Sequence, residues 1–164
     1  MHVIRSPIHD PRYAGLSSRS RVLLTLCLGA ITAFILLNSA RDGDASGRTS
    51  AFVLDMINSV LPGSPVTEFM VRKAAHFLEY ALLGLVALIT LRAYTGRIRA
   101  YVTAPLFYGL LAAVADETLQ LHIPGRSGQL TDVWIDFAGF VFGAVAGVLI
   151  ILFVINRFRA GKRF

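Results

Sequence analysis

Apolar residues form four long runs along the chain, and short polar segments separate them. The runs lie at about residues 22–40, 72–92, 100–121 and 133–155. Because about 20 apolar residues span the roughly 30 Å hydrocarbon layer of a bilayer, each run is long enough for a transmembrane helix. The pattern predicts an all-α fold, a polytopic membrane bundle of four transmembrane helices. Residues 22–164 are expected to form one membrane domain after a basic tail at 1–21.

The first outer segment is predicted to carry a short interfacial helix. Residues 41–50 read RDGDASGRTS and are too hydrophilic for the bilayer, so a polar loop is expected there. Ser50 is a suitable N-cap for the apolar residues that follow at helical spacing, and Pro62 with Gly63 ends the helix. This helix is expected to lie along the outer membrane surface. Thr67 and Glu68 then mark the start of the second span.

The composition supports a membrane protein and disfavours three other classes. Hydrophobic residues make up 55% of the 164 residues and charged residues only 16%, where an average soluble domain has about 25% charged residues. These values disfavour a soluble enzyme domain and a disordered chain. Cys27 is the single cysteine, so a scaffold held by intrachain disulfides is excluded.

The basic residues concentrate on one side of the predicted membrane. Eleven of the 16 Lys and Arg residues flank the spans on that side: Arg5, Arg12, Arg19, Arg21, Arg92, Arg97, Arg99, Arg157, Arg159, Lys162 and Arg163. By the positive-inside rule, both termini are predicted to be cytoplasmic in a multi-pass protein of the inner (cytoplasmic) membrane. The net charge of +6 is then explained by topology and contact with anionic lipids, and no nucleic-acid partner is expected. Span 1 has the general form of a secretory signal, but its length favours a retained anchor.

Ionisable residues occur at the outer ends of spans 2, 3 and 4, where an apolar side chain is the norm. Each such residue at a helix centre costs roughly 2.5–3.5 kcal/mol on insertion scales, so a group of them indicates function. The stripe of Arg72, His76 and Glu79 follows helical spacing, and Asp132 and Asp136 are four residues apart. The second stripe continues into Gly139, Gly143 and Gly147, a surface on which another helix packs closely. The acids are therefore expected to face the bundle interior, and the glycine face is also a possible contact for an oligomer.

Three blocks of sequence together resemble the VanZ-like membrane proteins. They are RKAAHFLEYALLG at 72–84, ADETLQLHIPGR at 115–126 and DVWIDFAG at 132–139. The family pattern marks Arg72, Lys73, His76, Glu79, Tyr80, Asp116, Glu117, Gln120, Pro124, Gly125, Arg126 and Asp132. Asp136 departs from the pattern, since family members often have Asn there. The family takes its name from a protein linked to resistance against teicoplanin-type glycopeptide antibiotics, so the resemblance implies a role in the cell envelope at the outer leaflet.

Two functions fit these residues. In the first, an enzyme acts on the anionic head group of an envelope lipid or lipid-linked glycan. Its candidate catalytic residues are His76, Glu79 and Asp116, and its candidate substrate-binding residues are Arg72, Lys73, Tyr80, Glu117, Gln120, Gly125, Arg126, Asp132 and Asp136. In the second, the same pocket binds a lipid or a lipoglycopeptide-type antibiotic without reacting, and so gives resistance. Transport is disfavoured, because no polar residues continue to the inner ends of the spans.

The sequence leaves a cofactor undetermined. His76, Glu79, Asp116 and Asp132 offer nitrogen and oxygen ligands for Mg, Mn or Zn. No H-x-x-x-H motif and no cysteine pair identifies a metal, so no residue is assigned as a metal ligand from the sequence.

Overall fold

The computed structural model describes residues 17–41, 43–95, 98–126 and 128–160. This part of the chain is all-helical, with no strand, as predicted. Six helices follow one another: α1 Ser18–Ser39, α2 Gly43–Val60, α3 Glu68–Tyr94, α4 Ile98–Tyr101, α5 Thr103–Gln120 and α6 Leu130–Ala160. Most of the predicted basic tail at 1–21 lies outside the described residues, as do residues 161–164.

Three helices of the described chain are long and apolar enough to cross a membrane. They are α1, α3 and the segment Leu130–Val154 of α6. The helix α5 covers most of the third predicted span but is not among them. Its last turns carry Asp116, Glu117 and Gln120, which reduce its apolar character. The residues that make this helix a functional candidate are thus the ones that make it a weaker membrane segment.

The start of α3 and the end of α2 agree with the sequence, whereas the start of α2 does not. The Thr67 side chain caps α3 by accepting a hydrogen bond of 3.3 Å from the Met70 backbone N–H, which confirms the predicted start. The expected polar loop at 41–50 is wrong, because α2 begins at Gly43, and Ser50 lies inside the helix instead of capping it. The polar residues of this segment indicate exposure to water but do not exclude a helix. No proline interrupts the segment, so its backbone can be helical. The helix α2 stops before Pro62, as predicted. Gly63 has a φ of 79°, a backbone conformation that favours glycine.

The helices α3 and α6 run parallel and pack closely through glycines. A Cβ atom at Gly143 would overlap the Ala81 carbonyl oxygen, and one at Gly84 would overlap the Phe140 carbonyl oxygen. The backbones approach closely because both glycines lack a side chain, as expected for a stripe of small residues. The glycine face of α6 is therefore covered by α3 of the same chain, and a second copy could reach it only by displacing α3.

The helices α1 and α5 run antiparallel to α3 and α6. The hydroxyl groups of Thr25 and Tyr94 are hydrogen-bonded at 3.0 Å, and near the other end of α1 the Asn38 amide donates to Glu79 at 3.3 Å. These contacts make α1 antiparallel to α3. The α5 residue Gly109 lies against the Phe140 ring, while the end of α5 meets the start of α6. The ends of α1 and α5 and the starts of α3 and α6 therefore meet at one end of the bundle, called here the polar end.

Candidate functional site

Three helices bring ionisable side chains to one level at the polar end. His76 is eight residues after the start of α3, Asp136 is six after the start of α6, and Asp116 is four before the end of α5. At a rise of 1.5 Å per residue, these offsets correspond to depths of about 12, 9 and 6 Å. The depths are similar enough for the three side chains to meet.

These three residues form a compact group, called here the His–Asp–Asp cluster. The Nδ1 atom of His76 lies 3.7 Å from Oδ2 of Asp116 and 3.6 Å from Oδ1 of Asp136. Asp116 is 0% exposed and Asp136 is 1% exposed. In the residues that the structure describes, no carboxylate oxygen of either aspartate has a hydrogen-bond partner within 3.5 Å, although the Ser39 side chain lies beside Asp116. Two buried acids thus share one imidazole.

A cavity of about 180 Å³ lies beside the cluster. Its walls come from α3, α5, α6 and the segment between α5 and α6. The lining residues are Phe69, Arg72, Lys73, His76, Gln120, Gly125, Arg126, Gln129, Asp132, Ile135 and Asp136. Three cations and two carboxylates therefore face one small space.

The three cations of the cavity differ in their partners. Lys73 forms an ion pair with Asp132, and Arg72 pairs with Glu68 at 3.0 Å across one turn of α3. Arg126 instead donates to two backbone carbonyl oxygens, those of Arg41 and Asn38, each at 3.3 Å. Within the described chain Arg126 forms no ion pair. Burial lowers the pKa of Arg126 below its usual value, and the nearby positive charge of Arg72 lowers it further. Two guanidinium groups thus lie close together with no carboxylate pairing Arg126.

Eight of the twelve predicted site residues line the cavity, and four do not. Those in the lining are Arg72, Lys73, His76, Gln120, Gly125, Arg126, Asp132 and Asp136. Asp116 lies behind His76 in the cluster. Glu79 faces α1, where it accepts a hydrogen bond from Asn38 and lines an apolar groove. Tyr80 is 0% exposed in the core, and Glu117 accepts bonds from the Gln120 side chain at 3.4 Å and the Gln129 backbone at 2.8 Å.

Residues of α1 contribute to the site, and the sequence interpretation did not include them. The Asn38 side-chain amide donates to Glu79, and the Asn38 backbone carbonyl accepts from Arg126. Ser39 lies beside Asp116 and is 1% exposed. The available signal was this pair of polar residues at the end of a largely apolar predicted span. Phe69, Gln129 and Ile135 of the lining were also missed, and none of them carries a chemical signal of its own.

Comparison with protein families gives a match over most of the chain. A family model described as VanZ/LLP1 matches residues 23–154. No curated protein and no solved structure matches the chain. The matched region includes the whole cavity lining and the His–Asp–Asp cluster.

Proposed function

This chain belongs to the VanZ/LLP1 family, and we propose that it is an integral membrane protein of the cell envelope that binds an anionic head group in its charged cavity. The head group belongs to an envelope lipid or a lipid-linked glycan. The observation that carries the proposal is Arg126, a half-buried cation beside the cavity that forms no ion pair in the described chain. An anion bound there would sit between Arg126 and Arg72 and relieve their mutual repulsion.

The proposed topology has four spans, with both termini in the cytoplasm and the polar end facing outward. The direction of α5 supports this proposal, since α5 runs parallel to α1 and antiparallel to α6. A helix with that direction, connected by short segments to two apolar helices, fits a bundle in which successive spans alternate. The helix α2 would lie at the outer surface, where its exposed Phe52 and Met56 meet lipid.

The cavity volume indicates which part of a lipid it can hold. A volume of about 180 Å³ falls below the roughly 300–1,000 Å³ of pockets that enclose drug-sized ligands. The cavity is suited to a phosphate or carboxylate group together with the few ligand atoms bonded next to it. The acyl chains of the ligand would stay outside, along the apolar helix surfaces. Arg126 and Arg72 would contact the anion, and Lys73 with Asp132 would hold α3 against α6.

The binding proposal is tested with a soluble probe lipid and matched variants. The detergent-purified full chain is titrated with dioctanoyl phosphatidic acid, and dioctanoylglycerol serves as the probe without a phosphate. A charged hydrogen bond contributes about 1.5–3 kcal/mol, so Arg126→Gln is expected to weaken binding roughly 10- to 100-fold. Arg99→Gln removes the same charge from an exposed position of α4 and is expected to change nothing. Equal affinities for the two probes, or equal effects of the two variants, would contradict the proposal.

Chemical modification of the bound head group is a second candidate, which the position of His76 favours. Its Nδ1 atom faces two buried carboxylates, and its side chain also lines the cavity. An imidazole held in this way can take a proton from an attacking water and return it to the leaving oxygen as the ester bond breaks. Lipid profiling of cells that carry His76→Ala would then show accumulation of one anionic lipid, relative to the wild type and Arg99→Gln. An unchanged profile with intact lipid binding would leave the protein as a binder.

A further inference from the structure

We propose that the His–Asp–Asp cluster binds one divalent metal ion. This inference goes beyond head-group binding and does not depend on it. The cluster offers one imidazole nitrogen and two carboxylates, and the candidate ligand atoms all lie within 4.8 Å of one another. The ligands come from three different helices, so an ion would join α3, α5 and α6 at a single point.

The distances in the cluster suit a metal ion better than direct hydrogen bonds. His76 Nδ1 lies 3.6 and 3.7 Å from the two carboxylate oxygens, beyond hydrogen-bond range. Ligand atoms bound at about 2.1 Å around a tetrahedral ion are separated by about 3.4 Å. An ion between the three side chains therefore requires only small movements of them.

The unsatisfied oxygens are the second observation. Both oxygens of Asp116 and both of Asp136 are buried and lack a hydrogen-bond partner in the described chain. Buried carboxylate oxygens normally have hydrogen-bond partners, because burial removes their hydrogen bonds to water and an oxygen without a new partner is energetically unfavourable. A metal ion supplies the missing interaction to both aspartates at once.

The charges of the cluster also balance with a divalent ion. Two aspartates and a neutral imidazole carry a charge of −2, which one divalent ion cancels. A protonated His76 would leave a buried net charge of −1. Neither nearby cation forms an ion pair with these aspartates in the described chain, since Lys73 pairs with Asp132 and Arg126 donates to two backbone carbonyl oxygens. A buried uncompensated charge is strongly unfavourable.

The ligand types indicate Mn²⁺ or Zn²⁺. An imidazole ligand favours a transition metal, whereas Mg²⁺ and Ca²⁺ prefer oxygen ligands alone. This set differs from the one suggested by the sequence, since Asp136 takes part while Asp132 pairs with Lys73 and Glu79 with Asn38. His76 and Asp136 also line the cavity, so an open coordination position would face the bound head group.

The test measures metal binding directly and independently of lipid. The detergent-purified full chain is stripped with a chelator and titrated with MnCl₂, and the loss of the free Mn²⁺ electron paramagnetic resonance signal reports binding. ZnCl₂ competition compares the two ions. We expect about one ion per chain. Removal of a group that hydrogen-bonds to a metal ligand weakens metal binding about 10- to 100-fold, so loss of a direct ligand in Asp116→Asn or Asp136→Asn should weaken it more.

The control variant is Glu79→Gln, which removes a carboxylate one turn from His76 and keeps an acceptor for Asn38. It is expected to change the Mn²⁺ affinity by less than about tenfold. Folded wild-type protein that binds neither ion would overturn the proposal, as would equal losses in Glu79→Gln and Asp136→Asn.

A stability measurement separates a metal site from a structural ion pair. With a metal site, a chelator lowers the melting temperature of the loaded wild type but not that of Asp136→Asn. With a structural pair of His76 and the aspartates, Asp136→Asn melts lower whether or not the chelator is present, and the metal proposal is wrong. Phosphatidic acid binding to the stripped protein reports on the cavity arginines and not on the metal, so failure of one proposal is distinguishable from failure of the other.

Discussion

The closest contact between α3 and α6 provides a stringent test of the fold, through the substitution Gly143→Ala. A methyl group at this position would overlap the Ala81 carbonyl oxygen, and backbone atoms cannot rotate away as a side chain can. The two helices would have to separate by about 1 Å or more to restore an ordinary van der Waals contact. Because α3 carries His76 and α6 carries Asp136, the same movement would also open the His–Asp–Asp cluster.

The magnitude follows from two opposing effects. Overpacking of a close contact costs about 1–3 kcal/mol. Replacement of a helical glycine by alanine returns up to about 1 kcal/mol. We therefore expect Gly143→Ala to lower the free energy of unfolding by up to about 2 kcal/mol. Gly29→Ala is the matched control, since nothing lies within 4 Å of a Cβ atom there, and its stability should be unchanged or slightly raised.

The assay is unfolding of the purified chain by increasing mole fractions of sodium dodecyl sulfate in mixed micelles, followed by circular dichroism. Phosphatidic acid and Mn²⁺ binding are measured on the same samples. We expect Gly143→Ala to unfold at a lower detergent fraction than Gly29→Ala and to bind both ligands more weakly. Equal stability of the two variants would refute the close packing of α3 on α6.

Three further predictions concern single residues. Tyr80→Phe should raise the free energy of unfolding by about 1 kcal/mol, because the buried Tyr80 hydroxyl lacks a hydrogen-bond partner in the described chain; a lower melting temperature would show that this hydroxyl has a partner. Thr67→Ala should lower the free energy of unfolding by about 1 kcal/mol, measured by the same detergent titration, because α3 loses its N-cap. In a Cys27→Ser background, an impermeant maleimide added to intact cells should label Ser64→Cys and leave Thr95→Cys unlabelled; the reverse pattern would invert the proposed topology.

Three of the four apolar spans and most of the cavity residues were predictable from the sequence, because each rests on a periodic pattern. Helical spacing put Asp132 and Asp136 on the face that the glycine stripe carries into the bundle, and both line the cavity. His76 and Arg126 both lie near the ends of predicted spans on the same side of the membrane, which predicted that they share one depth. The same periodicity could not separate Glu79 from His76, since both lie near the same stripe of α3. Their roles differ because Asn38 of α1 binds Glu79. The periodicity of a single helix does not show which side chains of another helix it contacts.

Other features depend on three-dimensional contacts that spacing does not contain. The pairing of Lys73 with Asp132 removes Asp132 from the group of free acids and leaves Asp136 in the cluster. Tyr80 matches the family pattern, yet it lies in the buried core together with Ala113 of α5 and Phe140 of α6. The helical start of α2 was missed because a run of small polar residues predicts exposure and says little about backbone conformation.

In the proposed function, an anionic head group lies against Arg126 in the cavity at the polar end. Solid-state nuclear magnetic resonance can measure the distance from the ³¹P nucleus of bound phosphatidic acid to ¹⁵N-labelled arginine side chains in the full chain. A direct hydrogen bond places phosphorus about 4 Å from a guanidinium nitrogen. We predict dipolar dephasing at that distance, reduced in Arg126→Gln and retained in Arg99→Gln. Dephasing that is absent, or that persists unchanged in Arg126→Gln, would contradict head-group binding at Arg126.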